Sequence, residues 1–295
     1  MKIFLMLFQA LLGIAAAPFA GGLIKKLKNN IRMRKGAPLL QPYHNIIKLM
    51  RKNETISKDA SYIFTAAPYI HLTAAVAAVF LVPSFFPSAH INGLGDVFVI
   101  IFLLALGRFF MALAGLDTGS TFGGMGSSRE MFLSSLAEPA MLVSVFAASL
   151  AAGSTGINAL VAAGTFKISL ICSGLAFYLV LLAETARVPV DNQETHLELT
   201  MIHEAMLLEY SGKSLALIEL AGYLKQFILI SMLVYFFIPF GTGPVFYVAK
   251  FLAVCAGTAI LEVTISKMRL FRAVDYLIFS FMISLAAVAA FVMGV

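Results

Sequence analysis

Apolar runs long enough to cross a bilayer recur along the chain, at about 3–23, 65–86, 96–116, 131–152, 166–184, 224–240, 245–265 and 273–294. About twenty residues of helix span a hydrocarbon core. The pattern therefore predicts an all-α integral membrane protein with about eight transmembrane helices, one transmembrane domain over 1–295. Pro68 is expected to kink the second run, which ends near Pro83 and Pro87. Runs six and seven meet at PFGTGP (239–244), a turn short enough to force an antiparallel hairpin. The first run begins at Lys2 and ends at Gly21-Gly22, ahead of Lys25 and Lys26. No A-x-A site closes it convincingly, so it reads as a retained helix rather than a cleaved signal peptide.

The polar intervals orient the chain. Lys25, Lys26, Lys28, Arg32, Arg34, Lys35, Lys48, Arg51, Lys52 and Lys58 fall between the first two runs, and Lys267, Arg269 and Arg272 between the last two. The interval PSFFPSAHINGLG, between runs two and three, has no Lys or Arg. The positive-inside rule makes the basic intervals cytoplasmic. Eight spans then leave both termini outside a cytoplasmic (inner) membrane. The first basic interval suits anionic lipid, with docking of a partner as a second use. Nucleic acid is not expected, since no aromatic-rich basic groove accompanies the charge.

Composition narrows the class. The chain is 60% hydrophobic and 12% charged, which excludes an ordinary soluble domain. Cys172 and Cys255 lie inside apolar runs and read as small buried hydrophobes. With no CxxC spacing, no metal or iron–sulfur cofactor is expected on this chain. No internal repeat is visible, which weighs against an inverted-repeat transporter.

Against this background the interval 184–212 stands out. It holds Glu184, Asp191, Glu194, Glu198, Glu204 and Glu209, out of 15 acids in all, and no Lys or Arg between Arg187 and Lys213. A solvated helix ordinarily mixes signs. Arg187 lies three residues after Glu184, within pairing reach on a helical turn. Pro189 is expected to interrupt the fifth helix. Asp191 and Glu194 then suggest a capped second helix from 192 to Tyr210, with Gly212 closing it. On such a helix Glu194, Glu198 and Glu209 fall within roughly 60° of one another, with His196 and His203 opposite. Crowded carboxylates raise each other's proton affinity, so the stripe suits proton handling as well as simple solvation.

Ionisable residues also sit inside the runs. Arg108 and Glu138 lie at equal depth on adjacent spans, roughly 10–12 Å from the inner surface. A charge at that depth is costly and calls for a partner. The two are expected to pair, either as a structural ion pair or as a step in a polar path. Lys250 is expected to snorkel outward. Glu262 and Asp275 are expected to pair with Lys267, Arg269 or Arg272. His71 reads as a hydrogen-bonded core residue. The Gly-rich run GLDTGSTFGGMGSSRE (115–130) lacks the GK[ST] ending of a phosphate loop. It is read as a compact inner loop, with Ser127 and Glu130 as a capping box.

ETARVPVD (184–191), followed by Glu194, Glu198-Leu199 and Glu209-Tyr210, resembles the loop between helices five and six of the complex I membrane subunit 1 family. RFFMALAGLDTGSTFGGMGSSREMFLSSLAEPA (108–140) and RKGAPLLQPYHNIIKLMRK (34–52) resemble that family's energy-converting hydrogenase branch, including formate hydrogenlyase subunit 4 and hydrogenase-4 component C. The resemblance covers nearly the whole chain. It implies a non-catalytic membrane foot beneath a soluble module carrying iron–sulfur clusters and a NiFe-hydrogenase-like large subunit, beside antiporter-like membrane subunits. It implies coupling-loop roles for Glu184, Arg187, Asp191, Glu194, Glu198 and Glu209. Glu130 and Glu138 match the acids of the family's SRE…EP motif. With Arg108 and Glu262 they make up a candidate intramembrane polar path. VPVD (188–191) and His196 depart from the respiratory members, which favours the hydrogenase branch over a quinone-reducing subunit. A stand-alone secondary transporter is the third reading. Carboxylates serve H⁺ and Na⁺ alike, so the ion stays open.

Overall fold

The computed structural model describes residues 2–57, 60–85, 95–162, 167–192, 201–241 and 243–294. They form an all-α integral membrane protein, with no strand among the described residues. Its helices are α1 (Lys2–Ile31), α2 (Gln41–Met50), α3 (Tyr62–Leu81), α4 (Val97–Asp117), α5 (Thr121–Ala152), α6 (Ile157–Ala162), α7 (Ile168–Glu184), α8 (His203–Leu207), α9 (Gly212–Phe237), α10 (Pro244–Thr264) and α11 (Leu270–Val292). Among the described residues, α1, α3, α4, α5, α9, α10 and α11 are long and apolar enough to cross a membrane. The fifth apolar run is α7, an apolar helix of 17 residues, about 25 Å long.

Local chemistry sets the helix ends. Ser61 caps α3 by accepting from the Ile63 N–H at 3.2 Å. Asp96 caps α4 through the Phe98 N–H at 3.0 Å. Gly153, at φ +70°, closes α5 in the left-handed conformation that glycine adopts without steric cost. α9 is the most enclosed of the long helices, packed by α1, α3 and α7, while α10 and α11 present apolar faces outward. Lys250 reaches the carbonyls of Ile238 at 3.0 Å and Gly241 at 3.1 Å, in the turn that joins α9 to α10.

Several boundaries differ from the sequence expectation. α1 runs on to Ile31, past the lysines that the apolar pattern leaves outside. α5 begins at Thr121, not near 131, because Ser120 caps it through the Gly123 N–H at 3.1 Å. Ser127 therefore lies buried inside the helix and is no cap. Gly126 in this run serves close packing: a Cβ there would come within 2.9 Å of the Ala205 Cβ on α8.

A single helix over 192–210 is not what forms. Residues 193–200, with Glu194, His196 and Glu198, lie outside the described residues. Of the described part, only His203–Leu207 is helical. Gly212 opens α9 rather than closing α8, at φ +54°, where a Cβ would press within 2.7 Å of the Asn53 carbonyl oxygen.

α7 ends before Pro189 acts. Ala186 takes a left-handed φ of +50°, with its N–H bonded to the Ala183 carbonyl at 3.1 Å and the Arg187 N–H to that of Leu182 at 2.9 Å. This is the Schellman arrangement, here with alanine where glycine is usual. It throws Arg187 off the helical face that carries Glu184.

Candidate functional site

The reversal after α7 decides the electrostatics beneath it. Glu184 and Arg187 do not pair, because Ala186 turns them apart. Glu184, whose side chain is 2% exposed, accepts from Arg108 Nη1 on α4 at 2.5 Å and from Lys225 Nζ on α9 at 2.7 Å. The other fork nitrogen of Arg108 bonds Glu138 on α5, as equal depth on adjacent spans predicts.

Arg187 instead reaches Glu262 on α10 at 2.5 Å and the Gln226 side-chain oxygen on α9 at 3.0 Å. Lys28, on the unforeseen extension of α1, meets the same Glu262 at 3.0 Å. The expected pairing of Glu262 with Lys267, Arg269 or Arg272 is thus replaced. The inner end of α10 sits beside α1 and the 187–191 turn, so nearer cations reach it first. Asp275 lies exposed on α11.

Lys267 goes to Asp191 at 2.6 Å. The second oxygen of Asp191 accepts the N–H groups of Ile202 at 3.3 Å and His203 at 3.2 Å. Asp191 is therefore a cap, though of α8 across an intervening segment and not of a helix starting at 192. Arg129, next to Glu130, donates to the Met201 carbonyl at 3.1 Å on the same stretch.

Two buried clusters result, and α9 joins them through consecutive residues. Glu138, Arg108, Glu184 and Lys225 form one. Gln226, Arg187, Glu262 and Lys28 form the other. Arg108, Glu184, Arg187, Lys28 and Lys225 all lie largely out of solvent, where an unpaired charge is costly and a paired one is held in place. Lys225 and Gln226 were not among the sequence candidates. The signal was available: a lysine facing LKQFILISMLVYFF marks an ionisable group at the mouth of an apolar run.

A cavity of about 150 Å³, room for several waters, touches both clusters. Arg108, Glu184, Arg187 and Lys225 line it together with Glu130 and His71. His71 is buried on α3 beside the backbone of Gly107 on α4. Glu138 points elsewhere. Its side chain is 35% exposed, in a groove of about 440 Å³ between α4 and α5 whose rim includes Phe102, Leu106 and Phe109.

Glu209 is exposed and is not brought to either cluster. Its neighbour Tyr210 anchors the segment. The ring stacks on Phe64 at 4.0 Å, and the hydroxyl donates to the Phe64 carbonyl at 2.9 Å. Burial first, and the Asp117 charge second, raise the Tyr210 pKa above its ordinary value, so the group stays a protonated donor. Among the described residues no cluster of His, Cys, Asp and Glu is arranged to hold a metal ion.

The family profile described as NADH dehydrogenase matches residues 2–294. Hydrogenase-4 component C of Escherichia coli (strain K12) is 34% identical over 239 residues, 80% of this chain and 75% of that protein. Formate hydrogenlyase subunit 4 of the same organism is 32% identical over 247 residues, 82% of this chain and 79% of that protein. Among solved structures, a chain of the membrane-bound sulfane sulfur reductase, an archaeal respiratory membrane complex, superposes with a TM-score of 0.84. It is 19% identical, with 96% of this chain and 98% of that one covered, so the likeness is one of fold.

Proposed function

Because this chain belongs to the NADH dehydrogenase subunit 1 family, we propose that it is the membrane-anchor and coupling subunit of a complex-I-like, membrane-bound NiFe hydrogenase of the formate hydrogenlyase or hydrogenase-4 type. The chemistry belongs to partner chains, iron–sulfur subunits and a hydrogenase-like large subunit docked on the 184–212 segment. That segment and the basic intervals face the cytoplasm, and both termini face out. Antiporter-like membrane subunits adjoin on the side, and anionic lipid contacts the basic interval after α1.

One observation carries this reading: ion pairs run without a break from Lys225 on α9 through Glu184, the last residue of α7, and Arg108 to the sideways-facing Glu138. A change of charge or conformation at the 184–212 segment alters the partner choice of Glu184 or Arg187. Arg108 is shared between Glu184 and Glu138, so that change is felt at Glu138 through one guanidinium. Glu130 adds a further acid that acts on Arg108. Glu194 and Glu198 belong to the same acidic interval of the sequence, and the transported ion is H⁺ or Na⁺.

The test is purification of the complex through this chain in mild detergent, with metal analysis and a hydrogen-evolution assay. Nickel, iron and hydrogen evolution support the hydrogenase reading. Iron without nickel, together with quinone reductase activity, moves the chain to a quinone-reducing dehydrogenase. The family description and the cavity beside 184–187 favour that as the second reading.

A further inference from the structure

We propose that the groove between α4 and α5 seats a transmembrane helix of a neighbouring chain, and that this helix meets Glu138 with a neutral hydrogen-bond donor, a side-chain hydroxyl or amide. The proposal rests on the reading that membrane subunits adjoin this chain. It adds the face, the depth and the chemistry of the contact. The groove encloses about 440 Å³. Phe102, Leu106 and Phe109 recur at helical spacing along α4 and stand exposed on its rim, as does Met131 on α5. Glu138, partly exposed, lines the groove with them.

Depth decides what can cover such a carboxylate. Its partner Arg108 lies midway along α4, nine residues before Asp117, and so about 14 Å of helix from the inner end. Hydrocarbon at that depth offers no hydrogen bond, and a charge left open to it is costly. An acyl chain would suit the apolar walls but has no donor, and lipid headgroups lie nearer the surface. A helix supplies both an apolar side for the walls and a polar side chain at the level of Glu138.

The groups of the groove fix the kind of donor. Arg108 Nη2 bonds one oxygen of Glu138, and no other residue bonds that carboxylate among the described residues. Pro139 has no N–H, so the Ser135 carbonyl, one turn back on α5, lacks its helical donor. Ser134 and Ser135 spend their hydroxyl hydrogens on the carbonyls of Met131 at 3.0 Å and Phe132 at 2.8 Å. This stretch of α5 thus offers acceptors and calls for donors. The charge is already balanced, with Glu138 and Glu184 set against Arg108 and Lys225. Glu130 lies about two turns nearer the start of α5, next to Arg129. A lysine or arginine on the incoming helix would add an unmatched positive charge, and an acid would stand against Glu138. A neutral donor satisfies the acceptors and leaves the balance intact.

The experiment is photo-cross-linking in native membranes, with p-benzoylphenylalanine in place of Leu106 or of Phe109. After irradiation the complex is purified through this chain, and the captured peptide is mapped by mass spectrometry. The expected capture from both positions is an apolar span of another chain, with a Ser, Thr, Tyr, Asn or Gln within about one turn of the captured residue. Adducts to lipid alone, or a span whose polar residue there is charged or missing, overturn the proposal. Glu138→Leu is expected to lower retention of the captured chain through purification about fivefold. Glu138→Gln, whose amide oxygen still accepts, is expected to keep it within about twofold of wild type. Equal loss in both variants would mark a cationic partner, and loss in neither a groove that Glu138 does not govern; either result overturns the proposal. Should Glu138→Leu fail to accumulate, the mapped peptide and Glu138→Gln still decide. Nickel content and hydrogen evolution of the same sample judge the hydrogenase reading separately: a complex without nickel that gives the expected capture leaves the groove assignment standing.

Discussion

Replacing Glu184 by Gln removes one charge where two buried cations meet. Arg108 keeps Glu138 after the change. Lys225 keeps nothing equivalent, since Glu184 is its ion-pair partner among the described residues, at 2.7 Å and with the lysine side chain 11% exposed. Breaking a buried pair by deleting one member costs about 3–5 kcal/mol, because the other charge stays buried and uncompensated. The Lys225 side chain is 11% exposed, so water offsets part of that and the expected loss is about 3 kcal/mol, at the lower end of that range. Lys225→Met in the same background removes the orphaned ammonium and should recover much of the loss. A double-mutant cycle should then give a coupling of about 2 kcal/mol. The chain has no Trp, so unfolding in mixed micelles is best followed by far-UV circular dichroism. Glu209→Gln, on the exposed flank of the same segment, serves as a control and should stay within about 0.5 kcal/mol of wild type. The reasoning fails if Glu184→Gln behaves like that control, or if the double variant is no more stable than the single one.

Glu138→Gln and Glu198→Gln should each abolish redox-driven ion uptake into membrane vesicles while the complex still assembles; uptake at the wild-type level in both would remove these acids from the coupling path. Asp191→Asn gives up charge-assisted bonds to Lys267 and to the start of α8, worth about 1.5–3 kcal/mol. Amide exchange at Ile202 and His203 should quicken, and unchanged protection would show that Asp191 is not what holds them. Ala186→Gly relieves a left-handed alanine and should stabilise the chain by about 1 kcal/mol, read as a higher thermal midpoint. A lower midpoint would mean that the methyl group packs usefully in the turn.

What the sequence disclosed depended on how local the cause was. That the chain is an all-α membrane protein was legible because run length alone decides what can cross a bilayer. The Arg108–Glu138 pair was legible because depth along a helix is simple arithmetic. Glu262 was mispaired because its partners arrive from α1 and from the turn after α7, far away in the chain. Lys28 was read with the lipid-facing basic cluster, yet about two more turns of α1 carry it inward. The Gly-rich run passed for a loop because glycine usually signals a turn. Gly126 instead answers a tertiary demand, room for α8, while Gly119, at φ +61°, does mark a turn. Ala186 gave no signal at all, since an alanine in the left-handed region can be read only from coordinates.

Neighbouring residues on a helix diverge by about 100° around its axis. Lys225 and Gln226 therefore hold their clusters from two sides of one cylinder. If α9 rolls about its own axis in one sense, the ammonium swings toward the α7 carboxylate as the amide is drawn away from the guanidinium after it. Rolling in the opposite sense reverses both. Any roll of α9 about its axis would thus load both contacts at once, because one helix carries both side chains.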